Sequence, residues 1–372
     1  MNNLPLSYNP KHALNAICPY YTMFPLEYPL RILREHRKKA PVVCDPFCGR
    51  GTTMYAARHL GLPSWGVDTS PIAVAIAKAK LAASGLEDVL DLASTLLDRK
   101  PKQVPQTEFF KYAYSKNTLI KLCALREGLL NIKTDNDQSV LLRAAALGCL
   151  HGPTTRDPNT AGYFSNQMPR TFSSKPHYSV RYWKRRGLLP PDVDVLKVLR
   201  RKLSRIKGLS TKSEGVVGTV LCADARRLSL RNNLQRGTSI VITSPPYYGM
   251  RTYVQDQWLR MWFLGGPTTT DYRAGPQLDH NGQDAFIDEL AAVWDRLAKS
   301  SASRVDLYVR FGSVPSTKSD AKEILKSSLE QSEGWTLVSI RHAATAHEGK
   351  RQADQMGKSE AASEYDFHAI RD

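Results

Sequence analysis

Four short stretches of this sequence carry residue types that could hold and activate a small polar substrate. "DPFCGRGTT" (45–53) places Gly49 and Gly51 between a strand-like run and a helix-like run. Glycines there let backbone N–H groups approach a ligand closely. Asp68 ends the next strand-like run, 17 residues after Gly51, near the spacing at which an acid accepts hydrogen bonds from ribose hydroxyls. "LCADARRL" puts another acid, Asp224, at a strand end, where a carboxylate could accept from the exocyclic amine of adenine. "TSPPYYGM" (243–250) ends a further strand, "SIVI", on Ser244, Pro245, Pro246 and Tyr247. The prolines donate no backbone hydrogen bond, but their carbonyls still accept. Ser Oγ and the Pro245 carbonyl could together hold a planar amine while the tyrosine ring stacks above it. Each stretch alone also suits an ordinary turn; it is their joint occurrence on successive strand ends that points to a site.

The wording of the glycine loop narrows the ligand. It lacks the third glycine of the dinucleotide fingerprint and the GKS/GKT of a P-loop. A helix start without lysine suits a ligand without pyrophosphate, and S-adenosylmethionine is one. A delocalised exocyclic amine is a poor nucleophile. Two acceptors holding its N–H bonds would expose its lone pair to a methyl sulfonium, through positioning and electrostatic preorganisation.

The surrounding pattern supplies the scaffold. Helical spacing follows Pro25, and strand–loop–helix units follow at 42–61 and 64–85, which argues for a parallel sheet with helices on its faces. From Leu86 to about Leu150 only helical periods occur, with Asp135 or Asp137 as the expected cap of the last helix. A basic stretch follows, and its end, 191–208, reads as a basic helix. The sheet pattern resumes at "GTVLC", and the strands "WTLVSIRHA" and "YDFHAIR", separated by a charged loop, lie close enough to pair antiparallel. The expected plan is an α/β catalytic domain of residues 1–85 and 213–372, interrupted by a mostly helical, basic insertion of residues 86–212.

Composition narrows the partner. The net charge of +17 favours a polyanion. From His151 to Lys212 there are 14 Lys/Arg against three acidic residues, so this stretch carries an excess of 11. No apolar run is long enough to span a membrane, and the polar N-terminal segment resembles no leader, so a cytoplasmic protein is expected. Six scattered cysteines without a CxxC pair suit a reducing compartment and no metal site.

In these motifs the sequence resembles the amino-methyltransferases of DNA, which methylate N4 of cytosine or N6 of adenine. "DPFCGRGTT" is similar to their cofactor loop, "TSPPYYG" to their catalytic strand end, and "YTMFPLEYP" to the segment beside the cofactor's methionine part. The resemblance covers roughly residues 10–85 and 215–372. It implies a Rossmann-like methyltransferase fold with S-adenosylmethionine as cofactor. Cofactor contacts would come from Phe24, Pro25, Asp45, Phe47, Gly49, Gly51, Thr52, Asp68 and Asp224. The target amine would be held by Ser244, Pro245, Pro246 and Tyr247. Serine in the first motif position is more typical of the N4-cytosine enzymes. Many of those place the SPPY part first, whereas here the cofactor loop leads. C5-cytosine chemistry needs a Pro-Cys dipeptide, which this chain lacks.

The insertion would then read duplex DNA, the target base being flipped out of the stack. Asn166, Gln167 and Arg170 have side chains for base-edge contacts. Lys175, Lys184, Arg185 and Arg186 would meet phosphates and Tyr182 a base. A cognate restriction endonuclease is a partner the family allows, and association with the nucleoid follows if the source is bacterial. The alternatives are an N6-adenine enzyme, an RNA or tRNA base methyltransferase, and a non-catalytic DNA-binding protein.

Overall fold

The computed structural model describes residues 14–20, 25–153, 158–168, 175–206, 218–228, 237–250, 254–270, 278–299, 304–314, 319–343 and 363–372. In chain order they carry α1 (Glu27–His36), β1 (Val42–Asp45), α2 (Thr52–Leu60), β2 (Ser64–Asp68), α3 (Pro71–Leu81) and α4 (Leu86–Leu97). Next come α5 (Glu108–Ala113), α6 (Lys116–Leu130), α7 (Asp137–Cys149), α8 (Pro176–Arg185) and α9 (Val195–Ser204). The chain continues with β3 (Gly218–Cys222), β4 (Thr238–Thr243), α10 (Val254–Phe263) and α11 (Gln283–Ala298). It ends with β5 (Val305–Gly312), α12 (Ala321–Glu330), β6 (Thr336–Ala343) and β7 (Glu364–Arg371). The chain divides into two compact units, one of residues 20–77, 213–252 and 275–372, the other of residues 1–19, 78–212 and 253–274.

The first unit is built on a seven-stranded sheet of order β3-β2-β1-β4-β5-β7-β6. The β1–β5 strands pair in parallel, and β7 runs antiparallel to both β5 and β6, which bears out the expected final antiparallel pair. The order turns around between β1 and β4, and open α/β sheets bind ligands outside the carboxyl ends of the strands at such a switch point. This is the Rossmann-like arrangement expected from the sequence. β5 shows why its sequence alternates. Leu307, Val309 and Phe311 face a core completed by Phe286, Leu290 and Trp294 of α11 and Ile324 and Leu325 of α12. On the opposite face Arg310 forms a two-point ion pair with Asp366 at 2.7 and 2.8 Å and lies 4.1 Å from the centre of the Tyr28 ring of α1. Tyr308 shares a 2.9 Å hydrogen bond with His36 of α1. An apolar face against α11 and α12 and a paired polar face against α1 thus give one strand its period of two.

The second unit is helical. α4 packs with α6, α7 and α9, and α5 with α8. Helix α6 starts at Ser115 and α9 at Asp194, whose side chains accept from Thr118 N and Lys197 N. The cap of α7 is Asn136, whose side chain accepts from Ser139 N at 2.8 Å, and not Asp135 or Asp137. Asp135 instead pairs with Arg143 at 2.8 Å and Lys78 at 3.1 Å. Beyond the expected insertion of 86–212, this unit takes in residues 78–85 with 1–19, and residues 253–274. Its aromatic cluster explains the second addition: Trp258 and Trp262 of α10 lie 4.8 Å from Phe109 and 4.7 Å from Phe110 of α5, and Arg126 Nε donates to Trp262 O at 2.7 Å.

Candidate active site

β1 ends on Asp45, which is 1% exposed. Its carboxylate accepts from Thr53 Oγ1 at 2.7 Å, Thr243 Oγ1 at 2.6 Å and Phe47 N at 3.1 Å. Thr53 Oγ1 also lies 3.1 Å from the Ile242 carbonyl. One buried acid therefore ties the glycine loop, the first turn of α2 and the last residue of β4, which directly precedes Ser244. Burial raises the Asp45 pKa to about 6, against the lowering effect of these three donors. Asp45 is enclosed, and protein donors engage both of its oxygens.

The loop between β1 and α2 needs its glycines for two different reasons. Gly51 has φ +77°, and a Cβ there would lie 2.7 Å from Ala77 Cβ, so it permits the close approach of α2 to α3. Gly49 has φ +48°, with nothing within 4 Å of where a Cβ would be, so this side of the loop is open to a ligand. Its N–H donates to Asp68 Oδ2 at 2.9 Å, and Ser70 N donates to Asp68 Oδ1 at 2.8 Å. Asp68 is thus fixed at the end of β2 with lone pairs remaining on each oxygen, as a diol acceptor requires. Burial raises its pKa, opposed by these two backbone donors. α2 starts at Thr52 with no side chain capping it. Phe47 packs edge-on to Trp294 at 6.4 Å. Pro25 is half-buried, and its carbonyl accepts from Tyr28 N at 3.1 Å. Phe24 lies outside the described residues.

Asp224 follows β3, the neighbour of β2, but the adenine contact expected of it meets a competitor. Arg226 Nε lies 2.9 and 3.0 Å from its two oxygens, Arg226 Nη2 2.6 Å from Oδ2, and Arg226 N 3.0 Å from Oδ1. The guanidinium holds the Asp224 carboxyl below its ordinary pKa and also pairs with Glu289. The acid is engaged in an ion pair set by the residue two positions on, which "DARRL" already displays.

The Ser-Pro-Pro-Tyr segment leaves β4 at the switch point. Pro245 is buried, and Ser244, Pro246 and Tyr247 are half-buried. A turn closed by Met250 N to Tyr247 O at 2.9 Å, with Gly249 at φ +79°, directs the chain away. Three neighbours fix the Tyr247 ring. Phe311 meets it edge-on at 5.4 Å. Glu364 Oε1 accepts from its hydroxyl at 2.9 Å. Gly312 leaves space that a Cβ would take up, 3.0 Å from Tyr247 Cε2. Gly249 N donates to His280 Nδ1 at 3.1 Å, so that nitrogen carries no proton. Sequence reasoning missed Thr53, Thr243, His280, Gly312 and Glu364. The two threonines stand inside the quoted motifs; the other three come from chain segments with no motif of their own.

In the helical unit the expected nucleic-acid residues separate into two groups. Asn166 is 2% exposed. Its amide donates to Tyr112 O and Leu188 O at 3.0 and 3.1 Å and accepts from Gln167 N at 2.8 Å. It is a strut between segments, which corrects the expectation of a base-edge contact. Trp183 and Phe164 are fully buried, and Trp183 Nε1 donates to Gln167 O at 2.8 Å. Lys175, Arg185 and Arg186 are exposed, and Arg186 lies 4.9 Å from the centre of the half-buried Tyr182 ring. Lys184 is exposed and pairs with Glu108. Arg170 lies outside the described residues.

Comparison with known proteins gives matches over part of the chain. Residues 4–79 match the N6/N4 DNA methylase family. A type II methyltransferase from Methanocaldococcus jannaschii is 29% identical over 104 residues, which are 27% of this chain and 19% of that protein. The chain thus matches about a fifth of that relative's length. Among solved structures, an rRNA methyltransferase from Streptomyces viridochromogenes is 14% identical, covering 99% of this chain and 94% of its own, with a TM-score of 0.35. Magnesium protoporphyrin IX methyltransferase from Synechocystis PCC 6803 with bound S-adenosylmethionine is 9% identical over the whole of both chains, with a TM-score of 0.32. Superpositions at that level bear no weight here. S-adenosylmethionine is the cofactor that goes with the matched family. The residues fit it: a diol acceptor in Asp68, an open approach at Gly49, and no lysine in a loop that need hold no pyrophosphate. Over residues 4–79 and in its two motifs, the chain is similar to the DNA amino-methyltransferase family.

Proposed function

We propose that this protein is an S-adenosylmethionine-dependent methyltransferase acting on the exocyclic N4 amine of cytosine in duplex DNA. The observation that carries the proposal is the shared carboxylate of Asp45, which links Thr53 of the cofactor loop to Thr243, the residue before Ser244. A cofactor loop and an amine clamp on adjacent parallel strands are thereby held in one register.

When bound, the cofactor supplies an electrophilic methyl group on sulfur. Ser244 Oγ and the Pro245 carbonyl accept the two N–H bonds of the target amine and orient its lone pair. The Tyr247 ring, held by Phe311 and Glu364, forms the wall on which the base stacks. Asp68 and the loop at Gly49 would hold the cofactor so that its methyl group could pass to this lone pair, and one proton of the amine would then be lost. Ser244 is no base at neutral pH, so this proton leaves after transfer. The geometry thus contributes orientation. The target amine is paired inside a duplex, so the base is extruded before reaction. Serine at the head of the clamp supports cytosine N4 over adenine N6, by the family resemblance. A role beside a cognate restriction endonuclease fits the same reading. No helix of the described residues is long and apolar enough to cross a membrane.

The test is incubation with methyl-labelled cofactor and plasmid DNA, with tRNA in a parallel reaction. Label in DNA is the expected result; label in tRNA alone, or tight DNA binding with no transfer, would refute the proposal.

A further inference from the structure

Helix α8 has an inner and an outer face of opposite character. Ser179, Val180 and Trp183 are buried, with Trp183 5.6 Å from Phe109. On the outside, Tyr178, Arg181, Tyr182, Arg185 and Arg186 line an open cleft. Residues 175–191 hold five Lys/Arg and no acid. The chain then turns at Gly187, φ +59°, into "LLPP", where Leu189 is 80% exposed. A single exposed leucine is ordinary. Here the loop that presents it is pinned on both sides.

On one side Leu188 N donates to Trp183 O at 3.0 Å, and Leu188 O accepts from the buried amide of Asn166 at 3.1 Å. On the other, Asp192 accepts from Ser115 Oγ at 2.6 Å and Asn117 Nδ2 at 3.1 Å, while Val193 N donates to Thr118 Oγ1 at 2.9 Å. Pro190 and Pro191 fix φ between these anchors. The tip has therefore lost most of its freedom before any partner arrives, which lowers the entropy cost of an apolar contact. Its partner must accept a cationic helix and an apolar point side by side. A nucleic-acid duplex does both, through its phosphates and the faces of its stacked bases.

We infer that Leu189 is an apolar wedge that enters the base stack of duplex DNA, delivered by the cationic face of α8 docked on the phosphates. Wedges of this kind partly unstack the step they enter. The inference rests on the proposed DNA substrate. It gives Asn166 a role distinct from base reading: it holds the tip.

Chemical probing of plasmid DNA tests the wedge whatever the recognition sequence is, using permanganate for unstacked thymine and hydroxylamine for unstacked cytosine. The full-length protein should create discrete hyper-reactive positions. Leu189→Ala should lower that reactivity about tenfold, the factor given by ~1.4 kcal/mol of lost apolar contact, with plasmid affinity within about threefold of wild type, on the same order-of-magnitude reasoning. The side chain is exposed, so the melting temperature should not change. Arg185→Gln should instead weaken binding and reduce the slope of log affinity against log salt by about one unit. Equal reactivity with wild type and Leu189→Ala, or binding by wild type with no hyper-reactive position, overturns the wedge and leaves the DNA substrate standing. Binding to a structured RNA but not to plasmid overturns both.

Discussion

Replacing Asp45 by asparagine keeps the side chain's shape while removing its charge. In the folded protein this carboxyl has a pKa of about 6 against an ordinary 3.8, because burial outweighs the hydrogen bonds from Thr243, Thr53 and Phe47. Between about pH 4 and pH 6 the folded state therefore holds a proton that the unfolded chain has released. For a group with a raised folded pKa, stability is full at low pH and falls as pH rises through the folded value. A rise of this size corresponds to about 3 kcal/mol. The asparagine variant has no such titration. Against that gain, its amide offers one acceptor where the carboxylate offers two, a loss of about 1–2 kcal/mol at any pH. Thr53 retains the Ile242 carbonyl as a second acceptor at 3.1 Å, which limits that loss. Urea unfolding of the two proteins at pH 4.5 and pH 7.5 checks the account. The stability difference should shift toward the variant by about 2–3 kcal/mol between the two pH values. Parallel pH dependences would refute the assignment of Asp45 as the buried, strained-charge link between loop and clamp.

Other substitutions separate the roles of the neighbouring residues. Ser244→Ala should lower kcat by about 100-fold while calorimetry gives a nearly unchanged cofactor Kd; equal losses in both would make the residue structural. Asp68→Ala should weaken cofactor binding by roughly 10- to 100-fold, the range for hydrogen bonds to a charged group; an unchanged Kd rejects the diol-acceptor role. Gly51→Ala should destabilise by about 2 kcal/mol or more, from positive φ plus contact with Ala77. Gly49→Ala should cost about 1 kcal/mol in stability yet reduce cofactor affinity, since its Cβ would enter open space. Matching stability and affinity effects at both glycines would contradict the distinction between them.

Most of the sheet unit is legible in the sequence because its signals are local. β1, β2 and β4 are short apolar runs ended by Asp45, Asp68 and Ser244, and glycines mark the loop and the end of α2. α5, α8 and α10 carry no comparable signal. α5 has only six residues, too few to show a period, and the aromatic residues of α8 and α10 that meet it, Trp183 and Trp258, lie far from it in sequence. Residue types also mislead where tertiary contacts decide the outcome. Asn166 has the right amide for a base edge, but three partners inside the fold consume it. Asp224 stands at the right strand end, but Arg226 takes its oxygens. Thr243 and Thr53 lie in the motifs with nothing local to mark them, because only the adjacency of β1 and β4 makes them partners of Asp45. Glu364, 117 residues from Tyr247, is visible only once β7 is seen to start beside the end of β5.

The central claim is a methyl group delivered to cytosine N4 in DNA. Plasmid DNA from a host without modification should be treated with the protein and S-adenosylmethionine, digested to nucleosides and resolved by mass spectrometry. N4-methyldeoxycytidine should appear with wild type and accumulate about 100-fold more slowly with Ser244→Ala. N6-methyldeoxyadenosine in its place would contradict the base assignment, and unmodified DNA beside an active, cofactor-bound protein would contradict the function.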